Sequence, residues 1–155
     1  MSKILIFTNH SYMLYRFRLE LIQELQKTHE VVLSMPFVGH EADFKALGIR
    51  CIETPVDRRG LNPKTDLQLL LRYRKLLRQE RPDLVITYSI KPNIYAGLCC
   101  RAAGVPYCAN VQGLGTAFQK RGLAQFVSIL YRWALKNART VFFENECNAE
   151  EFRNR

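Results

Sequence analysis

Four short stretches carry most of the side chains that could do chemistry: "TNHSYMLYRFR", "DRRGLNP", "YSIKPN" and "QGLGTAF". Between them they hold Asn9, His10, Arg16, Arg18, Arg58, Arg59, Lys91, Asn93, Gln112, Gly113, Gly115 and Thr116. Guanidinium and ammonium groups bind phosphate oxygens, and arginine does so bidentately. Amide and hydroxyl side chains orient sugar hydroxyls. His10 alone in this set titrates near neutrality. Glycines let a backbone approach a ligand closely. Each feature also has a plainer reading. His10 can be a structural hydrogen-bonder, "DRRG" a polar turn, "KPN" a turn into a helix favoured by Pro92, and Gly113 and Gly115 a tight strand-to-helix turn. The first stretch lacks G-x-G-x-x-G, which argues against a nicotinamide or flavin site, and no P-loop is present.

These stretches need a frame, and the hydrophobic pattern supplies one. Strand-like runs at Lys3–Thr8, Glu30–Met35, Arg50–Val56, Asp83–Ser89, Pro106–Val111 and Thr140–Asn145 alternate with helical spacings. The predicted helices are Tyr15–His29, Glu41–Ile49, a segment opened by Asn62-Pro63 as N-cap and first position, Asn93–Gly104, Leu123–Ala138, and a last one from Cys147. Gly48 and Gly104 read as helix stops. Six alternations predict one α/β domain with a doubly wound, Rossmann-like parallel sheet. Strands four and six are near-continuous apolar runs, as in a sheet covered on both faces. In such a fold the four stretches fall beyond the carboxyl ends of strands one, three, four and five, where ligands bind.

Bulk properties agree with a single folded domain. The 155 residues are 48% hydrophobic and 24% charged, enough for a core and against disorder. The net charge of +9 implies an anionic partner: nucleic acid, a phosphate-bearing substrate or a membrane surface. Leu84 to Phe143 holds no Asp or Glu but seven Lys and Arg, either a solvated basic face or a directed one. The five cysteines fit neither a zinc pattern nor CxxC, and predict reduced, mostly buried cytosolic thiols; no metal site is expected. No segment is long enough to span a bilayer. The chain stops inside a helical pattern, "NAEEFRNR", which leads us to expect one half of a longer protein or one partner of a two-chain enzyme.

Taken in order, "KILIFTNHSYMLYRFRLELIQEL", "RRGLNP", "YSIKPNIYAG", "NVQGLGTAF" and "FFENECNAEEF" resemble the N-terminal domain of bacterial family 4 glycosyltransferases, along the whole chain. The nearest group extends lipid-linked oligosaccharides for capsule, O-antigen or glycoprotein glycans. The resemblance implies residues 1–155 as the acceptor-side half of a GT-B fold, with the donor-binding C-terminal domain absent and the chain inactive alone. It implies a retaining transfer from a nucleotide-sugar to a polyprenyl-diphosphate-linked glycan, with no cofactor and no metal. Asn9 and His10 would meet the donor phosphate or transferred sugar, and Gln112 to Thr116 would lie beside the reacting centre. Some relatives carry His or Glu where Gln112 stands; glutamine takes no proton at neutral pH, so Gln112 and His10 are expected to position rather than catalyse. The location implied is cytoplasmic, peripheral on the inner face of the membrane. The segment "QKRGLAQFVSILYRWALKNAR" could rest on that anionic surface or pack on the sheet, and the helix from Leu67 to Gln79 is a second candidate. Two other readings are a non-catalytic, membrane-side subunit that recruits a donor-binding chain, and a basic nucleic-acid binder. No helix-turn-helix or RNA-binding motif supports the latter, and no specific nucleic acid is expected.

Overall fold

The computed structural model describes residues 1–58, 62–113 and 121–154. Strands and helices alternate: β1 (Ser2–Phe7), α1 (Ser11–Gln26), β2 (His29–Met35), α2 (Glu41–Ala46), β3 (Arg50–Glu53), α3 (Pro63–Glu80), β4 (Leu84–Tyr88), α4 (Ile90–Ala103), β5 (Tyr107–Val111), α5 (Arg121–Leu135), β6 (Thr140–Phe143) and α6 (Glu146–Arg153). The six strands form one sheet in the order β3-β2-β1-β4-β5-β6. Every pairing is parallel, with β1 lying between β2 and β4. The doubly wound expectation holds.

Period-two alternation assigns each strand residue to a layer. Leu5, Phe7, Val32, Val85 and Tyr107 pack on α3 and α4 through Leu69, Tyr73, Leu77, Ala96 and Cys100. Ile4, Ile6, Val31, Leu33 and Met35 pack on the opposite face against Leu14, Ile22 and Phe44 of α1 and α2. Gly97 brings α4 close to α5: a Cβ there would sit 3.0 Å from the Ala134 carbonyl oxygen. The Tyr107 hydroxyl donates to the same carbonyl.

The expectation that strand six is covered on both faces is corrected. Val141 and Phe143 pack beside α5, but Phe142 is 53% exposed. β6 is an edge strand, and α1 and α2 lie over the other half of the sheet. An apolar run does not report whether a neighbouring helix reaches it.

Two helix starts also shift. α1 begins at Ser11, so Arg16 and Arg18 sit in its second turn rather than at its N-terminus. α4 begins at Ile90, so Lys91 and Pro92 belong to its first turn. The Asn62-Pro63 start of α3 stands as expected, with Asn62 Oδ1 accepting from Lys64 N at 3.1 Å.

Candidate anion- and sugar-binding crevice

The strand order reverses between β1 and β4, and at such a switch point the loops after the two strands splay apart and open a crevice. Two joined clefts occupy that place. One, of about 260 Å³, is lined by Asn9, Arg58, Ser89, Lys91, Gln112 and Gly113 among others. The other, of about 400 Å³, adds His10, Tyr12 and Met13. No carboxylate is among the lining residues of either.

Two helices begin at this crevice, and both begin without a cap. His10 and Ser89 hold the N-cap positions of α1 and α4, and neither side chain caps its helix. Neither first turn contains an acid. The orphan N–H groups and the positive dipole ends therefore remain available to an anion.

Ser89 stands out. Its backbone lies at φ 76°, ψ 161°, a region occupied almost only by glycine. The conformation turns the Ser89 hydroxyl towards Gln112, donating to Oε1 at 3.3 Å. Gln112 is held from its other end too: Nε2 donates to Met13 Sδ at 3.2 Å and to Glu144 Oε1 at 3.5 Å. Glu144 in turn accepts from Arg18 at 2.8 Å, and the Arg18 guanidinium lies over the Tyr88 ring. Gln112 is thus a fixed hydrogen-bonding platform.

His10 lines the wider cleft, with a buried Nδ1 that lacks a hydrogen-bond partner. Burial, and secondarily the Arg58 charge, push its pKa below the ordinary 6.5. At pH 7 it is a neutral imidazole. Arg58 is exposed and lines both clefts. Gly113 faces open space, since a Cβ there would meet no atom within 4 Å.

The remaining expected residues are placed differently. Lys91 lines the narrower cleft, but its ammonium is held by Asp66 at 2.6 Å, which offsets much of its charge. Asn93 lies at the base of that cleft but is fully buried, and its amide is consumed inside the protein. Its Oδ1 accepts from Thr87 Oγ1 at 2.7 Å and its Nδ2 donates to the Asn110 carbonyl at 2.9 Å. It ties β4, β5 and α4 together beneath the crevice. Arg16 is exposed on α1 and lines neither cleft. Arg59, Gly115 and Thr116 lie outside the described residues. Ser89 and Glu144 are the functional candidates that the sequence reading passed over. A positive φ at serine has no local signal in sequence, and Glu144 reaches Gln112 only through the β5–β6 pairing.

All five cysteines are free. Burial pushes the Cys51 and Cys99 thiols up to about 11, which leaves them unreactive.

Comparison with known proteins places the chain in a family. A glycosyl transferase 4-like domain model matches residues 16–155. A Campylobacter jejuni protein named N,N'-diacetylbacillosaminyl-diphospho-undecaprenol alpha-1,3-N-acetylgalactosaminyltransferase is 31% identical over 91% of this chain and 39% of its own length. An Escherichia coli UDP-Gal:alpha-D-GlcNAc-diphosphoundecaprenol alpha-1,3-galactosyltransferase is 30% identical over 61% of this chain and 24% of its own. The chain therefore spans well under half the length of these relatives. Acinetobacter baumannii MurG superposes with a TM-score of 0.65 at 16% identity, over 96% of this chain and 42% of that one. The UDP-GlcNAc 2-epimerase of Methanocaldococcus jannaschii gives 0.64 at 14%, over 98% and 42%. At such identities the likeness concerns the fold alone, that of one Rossmann-like domain of the GT-B architecture. With the family model spanning all but the first fifteen residues, the chain belongs to the glycosyl transferase 4-like domain family.

Proposed function

We propose that this chain is the acceptor-side half of a retaining glycosyltransferase that moves a sugar from a nucleotide-sugar to a polyprenyl-diphosphate-linked glycan. The observation that carries the reading is the convergence of two uncapped helix N-termini and Arg58 on a crevice without a carboxylate. That arrangement suits a diphosphate and the hydroxyls beside it. The curated relatives are named for diphospho-undecaprenol-linked substrates, in keeping with this reading.

In this reading the amides at the starts of α1 and α4, together with Arg58, hold the anionic group. Lys91, already paired with Asp66, adds a hydrogen bond rather than a full charge. Asn9 and the Ser89–Gln112 pair orient sugar hydroxyls. His10, neutral at pH 7, offers one hydrogen bond to the transferred sugar and does not carry charge. Gln112 cannot serve as a base, so the acceptor proton passes to a donor phosphate oxygen as the bond to the leaving group breaks. The nucleotide is held by a domain beyond these 155 residues, and the chain alone transfers no sugar.

The test is equilibrium binding to the 155-residue chain. A soluble, short-chain prenyl-diphosphate sugar is expected to bind more tightly than a UDP-sugar, and Arg58→Ala is expected to weaken it roughly tenfold, the loss of one charge-assisted contact. Tighter binding of the UDP-sugar, or sugar transfer by the chain alone, contradicts the assignment.

A further inference from the structure

One layer of the molecule carries a surface that the crevice does not use. α5 has two apolar faces. Ala124, Val127, Tyr131 and Ala134 are buried against the core, while Phe126, Ile129 and Trp133 stand outside at 49%, 54% and 64% exposure. Their spacing of three and four residues makes one stripe, and exposed Lys136 continues it. α3 repeats the pattern. Leu67 and Leu71 are 57% and 52% exposed, and the same face runs on into exposed Arg74 and Arg78. Between α3 and α4 lies a cleft of about 660 Å³, lined by Leu71, Leu98, Ala102, Arg74, Arg78 and Arg81 among others and by no acid among the described residues.

The acids of this layer are turned elsewhere. α4 and α5 contain none. α3 has two: Asp66, which is buried and accepts from Lys91, and Glu80, which pairs with Arg50 and Lys3 at the amino ends of β3 and β1. Several large apolar side chains in water, flanked by cations and free of anions, match the headgroup boundary of an anionic bilayer. Tryptophan suits that depth, leucine and isoleucine enter slightly further, and arginine and lysine meet lipid phosphates. A second copy of the chain fits less well, because a self-paired face would oppose its own arginines. A nucleic acid makes no use of Leu67, Leu71 or Ile129.

We propose that the outer face of the α3–α4–α5 layer docks on an anionic lipid bilayer, with Phe126, Ile129 and Trp133 in the headgroup boundary and Arg74 and Arg78 against lipid phosphates. This goes beyond the sugar-transfer reading and does not depend on it, because bare vesicles carry no glycan acceptor.

Trp133 is the only tryptophan, so its fluorescence reports on this face alone. The 155-residue chain is mixed with vesicles of equal parts phosphatidylglycerol and phosphatidylcholine. The Trp133 emission is expected to shift to the blue and acrylamide quenching to fall at least about twofold as the ring leaves water. Pure phosphatidylcholine is expected to do much less. The double variant Phe126→Ser/Ile129→Ser, which keeps Trp133 and alters only exposed positions, is expected to lose both effects while its circular dichroism stays unchanged. Arg74→Gln/Arg78→Gln is expected to weaken binding to the anionic vesicles roughly thirtyfold, from two basic residues at the surface. Three results overturn the proposal: Trp133 equally quenched with and without vesicles, vesicle binding unaltered by Phe126→Ser/Ile129→Ser, or Trp133 protected by a concentration-dependent dimer in the absence of lipid.

Discussion

Two kinds of helix start coexist in this domain. α3 and α6 are finished: Asn62 and Asn145 side chains accept backbone N–H groups, and Asp66 and Glu146 stand in the first turns. α1 and α4 are left open, with His10 and Ser89 at the cap positions, no side-chain cap and no first-turn acid. His10 and Ser89 line the crevice at the switch point, whereas Asn62 and Asn145 are not among its lining residues. Capping stabilises a helix by filling the groups that an anion would otherwise find. The start of α2 also lacks a side-chain cap but carries Glu41 and Asp43 in its first turn, so among the helix starts with described caps only α1 and α4 lack both a cap and an acid, and both border the crevice.

The platform beneath the open starts gives the largest expected effect. Asn93→Leu leaves buried Thr87 Oγ1 and the Asn110 carbonyl without their partner, and is expected to cost about 2–3 kcal/mol in urea unfolding. A cost below the error of the measurement means that the buried network does not hold the platform. Asn62→Ala removes a finished cap and is expected to cost about 1 kcal/mol with anion affinity unchanged. Lost affinity in that variant erases the distinction between the two kinds of start.

Ser89→Gly is expected to do the opposite. Relief of the positive φ stabilises the fold by about 1 kcal/mol, while Gln112 loses its hydroxyl partner and sugar affinity falls. If stability drops instead, the strain argument is wrong. His10→Asp installs the missing cap on α1. It is expected to stabilise by about 0.5–1 kcal/mol and to abolish anion binding through like charge.

The smallest effect is in pH. His10 has a folded pKa below its unfolded 6.5, so the folded state binds fewer protons between the two values. Stability is then expected to fall as pH drops through 6.5 and to level off below the folded pKa. His10→Gln removes that slope. A bound diphosphate favours the imidazolium and is expected to raise the His10 pKa, which an NMR titration reads directly. A folded His10 pKa above 6.5 without ligand reverses the sign and contradicts the neutral assignment.

Most of the fold was legible in sequence, because a parallel sheet with alternating helices writes itself as alternating hydrophobic periods. The Asn62-Pro63 start and the Gly104 stop were legible for the same reason: their chemistry is local. The open starts were not. Ser11 and Ile90 begin helices without a capping residue, so the pattern placed the first at Tyr15 and the second at Asn93. The rim was legible as a set of loops, but their division of labour was not. Whether Asn93 points outward or inward, or whether Lys91 meets Asp66, is decided by contacts between distant segments. The α5 segment read as either a packed helix or a membrane-facing one; its two faces do each, with Tyr131 inside and Trp133 outside.

The central claim is that the open helix starts hold the anionic group of the acceptor. Titration of the ¹⁵N-labelled chain with a short-chain prenyl-diphosphate sugar tests it most directly. The account predicts saturable shifts in the amides of residues 10–13 and 89–91, with Gln112 following and Lys64 and Thr65 at the capped start of α3 unmoved. Shifts confined to the α3–α4 cleft around Arg74 and Arg78, with the amides of residues 89–91 unchanged, would contradict it.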